Sequence, residues 1–262
     1  DLALQMFPPS GVALPEVNTL NLPILTGRRE RALINLPMGG VWRAKVRNTL
    51  SLLGLLSILT PPQPFVGALE TTRAEYPYLS DISPLTATEQ SEVYQNLRSF
   101  VMAPNGSRFR PQFTISRFDL ASALVIGGRV PQYLAGQPRF TDVTSKAMRI
   151  MVESVQFAPG GPLFTDATPG GPFQPDARAT RLTAAIALVR AAGLRSEAES
   201  KAGISLPVSD AENILSSLRG YVWVALNRGL MTSEGGVFRP NDAMKRIELA
   251  HAMVGLARLA TQ

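Results

Sequence analysis

The sequence contains no cysteine and only one histidine among its 262 residues. The absence of cysteine excludes disulfides, thiolate metal sites and cysteine nucleophiles. The single histidine, His251, lies at the edge of an apolar helical pattern, so we interpret it as a packed or interfacial residue rather than a catalytic base. No nucleophile-elbow, zinc-protease or phosphate-loop motif occurs. We therefore predict no enzyme activity, no metal site and no cofactor.

Charged residues are also sparse, at 18% of the chain, with a formal net charge of +6. The lysines and arginines are scattered and form no basic run, which argues against a nucleic-acid partner. A weakly basic surface is instead suited to an acidic polymer. The most apolar run, residues 50–60, is shorter than the ~20 residues that a membrane-spanning helix requires.

Residues 1–75 combine frequent prolines with short stretches of alternating apolar residues. These stretches, 17–25, 31–37 and 40–50, are typical of β-strands, and Met38-Gly39-Gly40 resembles a hairpin turn. The strands are too few to close a sheet structure alone. We predict a β-rich segment that forms part of a β-sandwich.

From residue 76 the pattern becomes helical, and one phrase occurs three times, 64 and 65 residues apart. Each copy begins Phe-x-Pro and has Arg eight places after the Phe, and a Ser/Thr-Asp pair precedes each copy by about 30 residues. Repetition at this period predicts three copies of one structural unit. The copies are FRPQFTISR (109–117), FQPDARATR (173–181) and FRPNDAMKR (238–246). The units are unit 1 (76–135), unit 2 (136–205) and unit 3 (206–262).

Each unit is predicted to be helix, loop, helix. In unit 3, Ser209 and Glu212 are spaced as a capping box, and Gly229 fits the position just past a helix end. A second helix is predicted from about residue 243 to 259. A small residue twelve places after each Phe allows close helix approach. These residues are Ala121, Ala185 and Ala250.

The repeated arginines Arg117, Arg181 and Arg246 fall in the first turn of each second helix, where a cation opposes the helix dipole at a cost of a few tenths of a kcal/mol. An additional interaction must favour Arg there. Two alternatives remain open: an ion pair with the Asp that opens the unit, or an anionic ligand, since a guanidinium serves both. The aspartates are Asp81, Asp142 and Asp210.

The start of each second helix resembles the I-T-R-A-E pattern of the S-layer homology (SLH) domain. The resemblance covers residues 76–262, with departures at Lys245, where the family has Thr, and at Thr183, where it has Glu. The family's Trp early in the first helix is missing. The three matching stretches are Ile115-Ser116-Arg117-Phe118-Asp119, Ala179-Thr180-Arg181-Leu182-Thr183 and Met244-Lys245-Arg246-Ile247-Glu248.

This resemblance implies a mainly α-helical fold in which three units form a pseudo-threefold bundle after the β-rich segment. It implies grooves between units that bind an anionic cell-wall polysaccharide, often pyruvylated, on the surface of a bacterium outside the cell. The carbohydrate-binding residues it implies are Arg117, Arg181, Arg246, Ser116, Thr180, Asp81, Asp142 and Asp210.

The stretch GGVWRAKV (39–46) is similar to the Gly-x-Trp strand that ends the β-sandwich following the catalytic domain of some secreted subtilisin-like proteases. The chain begins at Asp1 without Met, which fits a non-catalytic, cleaved part of such a protein. A second functional class stays open: a structural subunit that self-assembles into a surface layer or filament through exposed strand edges.

Overall fold

We describe a computed structural model of the chain, covering residues 2–7, 32, 41–48, 67, 79–158 and 160–260. The chain divides into two compact parts, residues 1–73 and 74–262. The described residues are mainly helical with one small sheet, as the sequence predicts. The elements are β1 (Leu2–Phe7), β2 (Arg43–Asn48), α1 (Ala87–Arg98), α2 (Arg117–Ile126), α3 (Lys146–Gln156), α4 (Arg181–Ala191), α5 (Arg195–Ser200), α6 (Arg219–Asn227) and α7 (Arg246–Leu259).

The first part contains an antiparallel pair of strands, β1 and β2, whose register runs from Leu2 opposite Asn48 to Phe7 opposite Arg43. Strand β2 falls inside the stretch predicted from residues 40–50, but its partner β1 was not predicted. The other predicted strands, at 17–25 and 31–37, and the turn at 38–40 lie outside the described residues. The partial β-sandwich therefore stays a prediction.

Helices α1 and α2 begin at capping boxes that the sequence analysis did not single out. Thr86 and Glu89 cap α1, and Ser116 and Asp119 cap α2. In each box a side chain accepts a hydrogen bond from a backbone amide of the first turn, which would otherwise lack a partner. Helix α7 runs from Arg246 to Leu259 and ends where it was predicted to end.

The predicted helix start at Ser209 is wrong. Residues 211–213 and 216–218 form single 3-10 turns, and α6 begins only at Arg219. The Asp210 carboxylate binds the backbone of a distant loop, so Ser209-Asp210 does not form the N-terminus of a helix. Ile214, Val222 and Ala225 of the predicted apolar face are nevertheless buried. The predicted helix end is correct, since Gly229 has φ +64° just past α6.

The main helix pairs of the second part join different units. Helix α2 of unit 1 packs on α3 of unit 2, α4 of unit 2 packs on α6 of unit 3, and α7 of unit 3 packs on α1 of unit 1. The first helix of each unit thus packs on the second helix of the unit before it, and the last unit closes on the first. The small residues Ala121, Ala185 and Ala250 are fully buried.

A closed set of three backbone hydrogen bonds lies where the units meet. The amide of Ile115 donates to the carbonyl of Met244, Met244 donates to Ala179, and Ala179 donates to Ile115, at 2.8–3.0 Å. All three residues are buried. Because each lies just before a second helix, the helix starts that carry Arg117, Arg181 and Arg246 are held together at the centre of this part.

Candidate functional site

The aspartate that opens each unit binds the backbone of that unit's Phe-x-Pro loop. In unit 1, Asp81 accepts hydrogen bonds from the amides of Phe109 (2.8 Å) and Arg110 (2.7 Å). Both carboxylate oxygens are therefore used inside the fold. Asp142 binds Phe173 and Gln174 in the same way, and Asp210 binds Phe238 and Arg239.

This aspartate clamp places the residue between Phe and Pro in the left-handed region. Arg110, Gln174 and Arg239 have φ values of 59°, 59° and 57°. A residue other than glycine pays about 1–3 kcal/mol for this conformation and keeps it only where its surroundings fix it. Two consecutive amides that converge on one carboxylate supply that constraint. Nothing in the residue types Arg, Gln and Arg signals this geometry.

The start of each second helix rests on the loop of the following unit. The amide of Arg117 donates to the carbonyl of Ala177 and the next amide, of Phe118, donates to Pro175, at 2.8 and 3.0 Å. The same two contacts recur at the other helix starts. Ser116 and Thr180 cap their helices, accepting from the amides of Asp119 and Thr183.

Each repeated Arg side chain also reaches the following unit. The Nε of Arg117 donates to the carbonyl of Phe173 (2.9 Å), and its guanidinium lies 4.9 Å from the centre of that ring. Arg181 on Phe238 and Arg246 on Phe109 repeat both contacts, with ring distances of 5.0 and 4.8 Å. A cation over an aromatic face with a carbonyl partner outweighs the small dipole cost at the helix start.

The three arginines differ in their acidic partners. Arg117 binds Asp166 with two hydrogen bonds, at 2.6 and 3.0 Å, and Arg181 pairs with Glu248. Arg246 donates to the carbonyl of Ala103 (2.8 Å) and forms no ion pair with any residue that the structure describes. The predicted ion pairs with the unit-opening aspartates do not form, because those carboxylates are held by the loop amides.

An open groove of about 490 Å³ lies at the junction of units 3 and 1, which we call the open junction. Its lining includes Arg246, Arg110, Phe113 and Asp119. Burial lowers the pKa of Arg246 and the cation Arg110 lowers it further, while the carboxylates of Asp119 and Asp81 raise it. Phe113 is 58% exposed, and the Arg110 guanidinium lies 5.1 Å from its ring centre. The groove therefore presents two cations and an exposed aromatic ring.

The junction of units 2 and 3, which we call the closed junction, has arginines at the same two positions, the further cation Lys245 and more acids. Its Arg181 pairs with Glu248, and its Arg239 pairs with Glu234 at 2.6 Å and contacts Asp242 at 3.8 Å. At the same offsets from the unit's Phe, the open junction has Asp119, Asn105 and Phe113. Both arginines of the closed junction form ion pairs, whereas neither Arg246 nor Arg110 forms an ion pair with a residue that the structure describes.

The remaining buried polar groups serve the packing of helices. His251 on α7 contacts both carboxylate oxygens of Glu92 on α1, at 3.0 and 3.2 Å, as expected for an interfacial histidine. Asn96 donates to the carbonyl of Ala250 across the same interface. Within the described ranges, no group of three or more His, Cys, Asp or Glu side chains is placed to hold a metal ion.

The predicted arginines lie at three separate junctions, and the structure adds residues that the sequence analysis did not assign to the site. Glu248 and Asp119 occupy the fifth position of the I-T-R-A-E-like stretch, so aligning the copies would have revealed their difference. Asp166 lies in the long loop of unit 2, where no repeat guides prediction. Nothing in the sequence indicated that Arg110 and Phe113 belong to the site.

No protein-family model matches this chain, and no curated protein matches it significantly. None of the helices in the described part of the chain has both the length and the apolarity needed to cross a membrane.

Proposed function

We propose that this chain is a non-catalytic anchoring module on the outside of a bacterial cell. In this proposal, residues 76–262 are three SLH-like repeats in a pseudo-threefold bundle, and the groove of the open junction binds an anionic cell-wall polysaccharide. Residues 1–75 link the module to the rest of a secreted protein, such as a subtilisin-like protease.

The observation that carries the proposal is the lack of an ion pair at the arginine of the open junction. Arg246 is held in place by two carbonyl oxygens and the Phe109 ring, yet it has no acidic partner among the described residues. Its guanidinium is partly exposed, whereas Arg117 and Arg181 are 5% and 2% exposed. A pre-positioned, reachable cation in a groove provides a site for an anionic group of a ligand.

The exposed ring of Phe113 supports a carbohydrate as the ligand. It lies in the same groove as Arg246 and is stacked by Arg110 rather than covered by the core. A rigid aromatic surface beside charged donors gives contact area at low entropic cost, which suits the apolar face of a sugar ring. An acidic sugar would use both features at once.

A retention experiment tests the proposal. The purified chain is sedimented with isolated bacterial cell-wall sacculi, and with sacculi from which acid treatment has removed the attached polysaccharide. We expect the native chain to bind the first and not the second, and Arg246→Ala and Arg246→Lys to lose binding. The matched control is Lys146→Ala, which removes the same charge from an exposed position of unit 2.

The folding of each variant is checked by circular dichroism and thermal unfolding, and the samples are examined by electron microscopy. A folded Arg246→Ala variant that binds sacculi like the native chain would refute the groove as the site. Ordered polymers from a chain that binds no sacculi would favour the alternative, a self-assembling structural subunit.

A further inference from the structure

Side-chain length at one position distinguishes the closed junction from the open one. Glu248, in the first turn of α7, performs two tasks: one oxygen accepts from the amide of Lys245 at 2.7 Å, and the other pairs with Arg181. The first task satisfies the backbone amide at the start of α7, and the second neutralises the arginine of the neighbouring unit.

Asp119 is the counterpart of Glu248 in unit 1 and performs only the first task. One of its oxygens accepts hydrogen bonds from the amide and the hydroxyl of Ser116, at 2.8 and 2.9 Å. Its side chain is one methylene shorter than that of glutamate, and it forms no ion pair with Arg246. The Asp119 carboxylate lies in the groove, but its hydrogen bonds to Ser116 hold it at the start of α2.

Unit 2 has Thr183 at this position, which carries no charge, and Thr183 interacts with the hydroxyl of Thr180. The arginine at that junction, Arg117, is neutralised differently. The long loop of unit 2 brings Asp166 onto it in a two-point contact. Two of the three arginines are therefore neutralised by a carboxylate of the protein itself, through two unrelated routes.

We propose that Asp119 is a specificity-determining residue whose short side chain leaves Arg246 free for a carboxylate group of the ligand. Asp166 and Glu248 occupy, at the other two junctions, the place that the ligand carboxylate takes at Arg246. The chain then has one ligand site and not three, and the ligand class is a carboxylated sugar such as a uronic acid. This inference rests on the proposed function.

The choice of a carboxylate follows from the shared setting of the arginines. In each junction Nε is fixed on a Phe carbonyl, and the guanidinium plane is fixed over that Phe ring. In Arg246 the Nη2 atom donates to the carbonyl of Ala103, and the Nη1 atom has no hydrogen-bond partner among the described residues, so a carboxylate oxygen can bind there as Glu248 binds Nη1 of Arg181. At Arg117, the carboxylate of Asp166 accepts a hydrogen bond from each of the two Nη atoms.

The test is a titration followed by NMR of the arginine Nε–H resonances, with methyl glucuronide as the probe and methyl glucoside and methyl phosphate as comparisons. We expect methyl glucuronide to shift the Arg246 resonance of the native chain. In Asp119→Glu we expect that resonance to move before any probe is added, and the affinity for methyl glucuronide to fall about tenfold or more, since a charge-assisted pair is lost.

The matched control is Asp119→Asn, which keeps the length and removes the charge. It should bind methyl glucuronide at least as well as the native chain, since an acid near the site is removed. Position 119 is exposed, so both variants are expected to fold. Asp119→Glu and Asp119→Asn together separate the effect of length from the effect of charge.

The outcomes separate this inference from the proposed function. Equal binding of methyl glucuronide by the native chain and Asp119→Glu would overturn the role of position 119 while leaving the groove as the site. A shift by methyl phosphate but not by methyl glucuronide would overturn the carboxylate. If no probe shifts Arg246, the inference fails; sacculi binding that depends on Arg246 would then still support the proposed function, and its absence would refute both.

Discussion

The closed and open junctions are built on the same backbone plan but differ in charge. Both contain an arginine stacked on a buried Phe, a carbonyl partner for its Nε, and a second arginine in the left-handed position of the Phe-x-Pro loop. In the closed junction Glu248, Glu234 and Asp242 face these cations; the open junction has Asp119, Asn105 and Phe113 instead.

Comparing the two junctions separates the part of the repeat that maintains the fold from the part that is available to bind a ligand. The Asp clamp, the Phe and the backbone contacts occur in every unit, so they are structural. The acids around the arginines vary from junction to junction. Where they are present, the arginine contributes to stability; where they are absent, its charge is available to a ligand.

The largest expected effect comes from removing the acid of the closed junction. Glu248→Ala leaves Arg181, which is 2% exposed, without its anion. Breaking a buried pair in this way costs about 3 kcal/mol in the free energy of unfolding. Asp119→Ala, the matched change in the open junction, removes only a capping interaction and should cost about 1 kcal/mol. Urea unfolding of both variants measures the difference, and equal losses would show that the junctions do not differ.

A smaller effect is expected at the junction of units 1 and 2. The side chain of Asp166 is 55% exposed although that of its partner Arg117 is only 7% exposed, so solvent screens the pair. Asp166→Ala should cost about 1 kcal/mol, and the loss should shrink in high salt. The exposed Asp176→Ala in the same loop region is the control and should change stability little. A loss as large as that of Glu248→Ala would mean that screening is unimportant here.

The smallest expected effect is a loss of stability at acid pH, and it involves Glu234 in the loop of unit 3. The hydrogen bond from Arg239 lowers the pKa of Glu234 below 4.5, with further help from the charge of Arg239. Ionised Glu234 therefore stabilises the fold above the unfolded-state pKa, and this contribution is lost as the pH falls through the lower folded-state pKa.

Because the side chain of Glu234 is 64% exposed, its ionisation contributes only a few tenths of a kcal/mol to the free energy of unfolding. Glu234→Gln should reduce stability slightly at pH 7 and not at all at pH 2. Thermal unfolding of the native chain and the variant across this range is the measurement. A difference between them that persists at pH 2 would assign the effect to something other than ionisation.

The sequence predicts the repeated framework well because that framework depends on local rules. Phe109, Phe173 and Phe238 are fully buried, as an apolar residue in a repeated motif suggests. Gly229 marks a helix end through its left-handed backbone. These features need only a residue type and a spacing.

The residue pattern by itself does not specify the arrangement of the units, since it depends on distant contacts; a threefold bundle was implied only by the family resemblance. The pairing of α1 with α7 joins the two ends of the helical part, and no local pattern specifies it. The helix predicted from Ser209 failed because Asp210 is fixed by the amides of Phe238 and Arg239, 28 and 29 residues away. In our proposal, the unpaired state of Arg246 depends on the length of the side chain at position 119, and residue-type patterns treat Asp and Glu as equivalent.

The central claim is that wall binding depends on the missing acids of the open junction. The most direct measurement is the retention on sacculi of a double variant, Asn105→Glu with Asp119→Glu, which gives the open junction the acids that its closed counterpart has at these positions. Every arginine of the groove is kept. We predict a folded variant, with stability equal to or slightly above that of the native chain, that no longer binds sacculi. Undiminished binding by that variant would contradict the account.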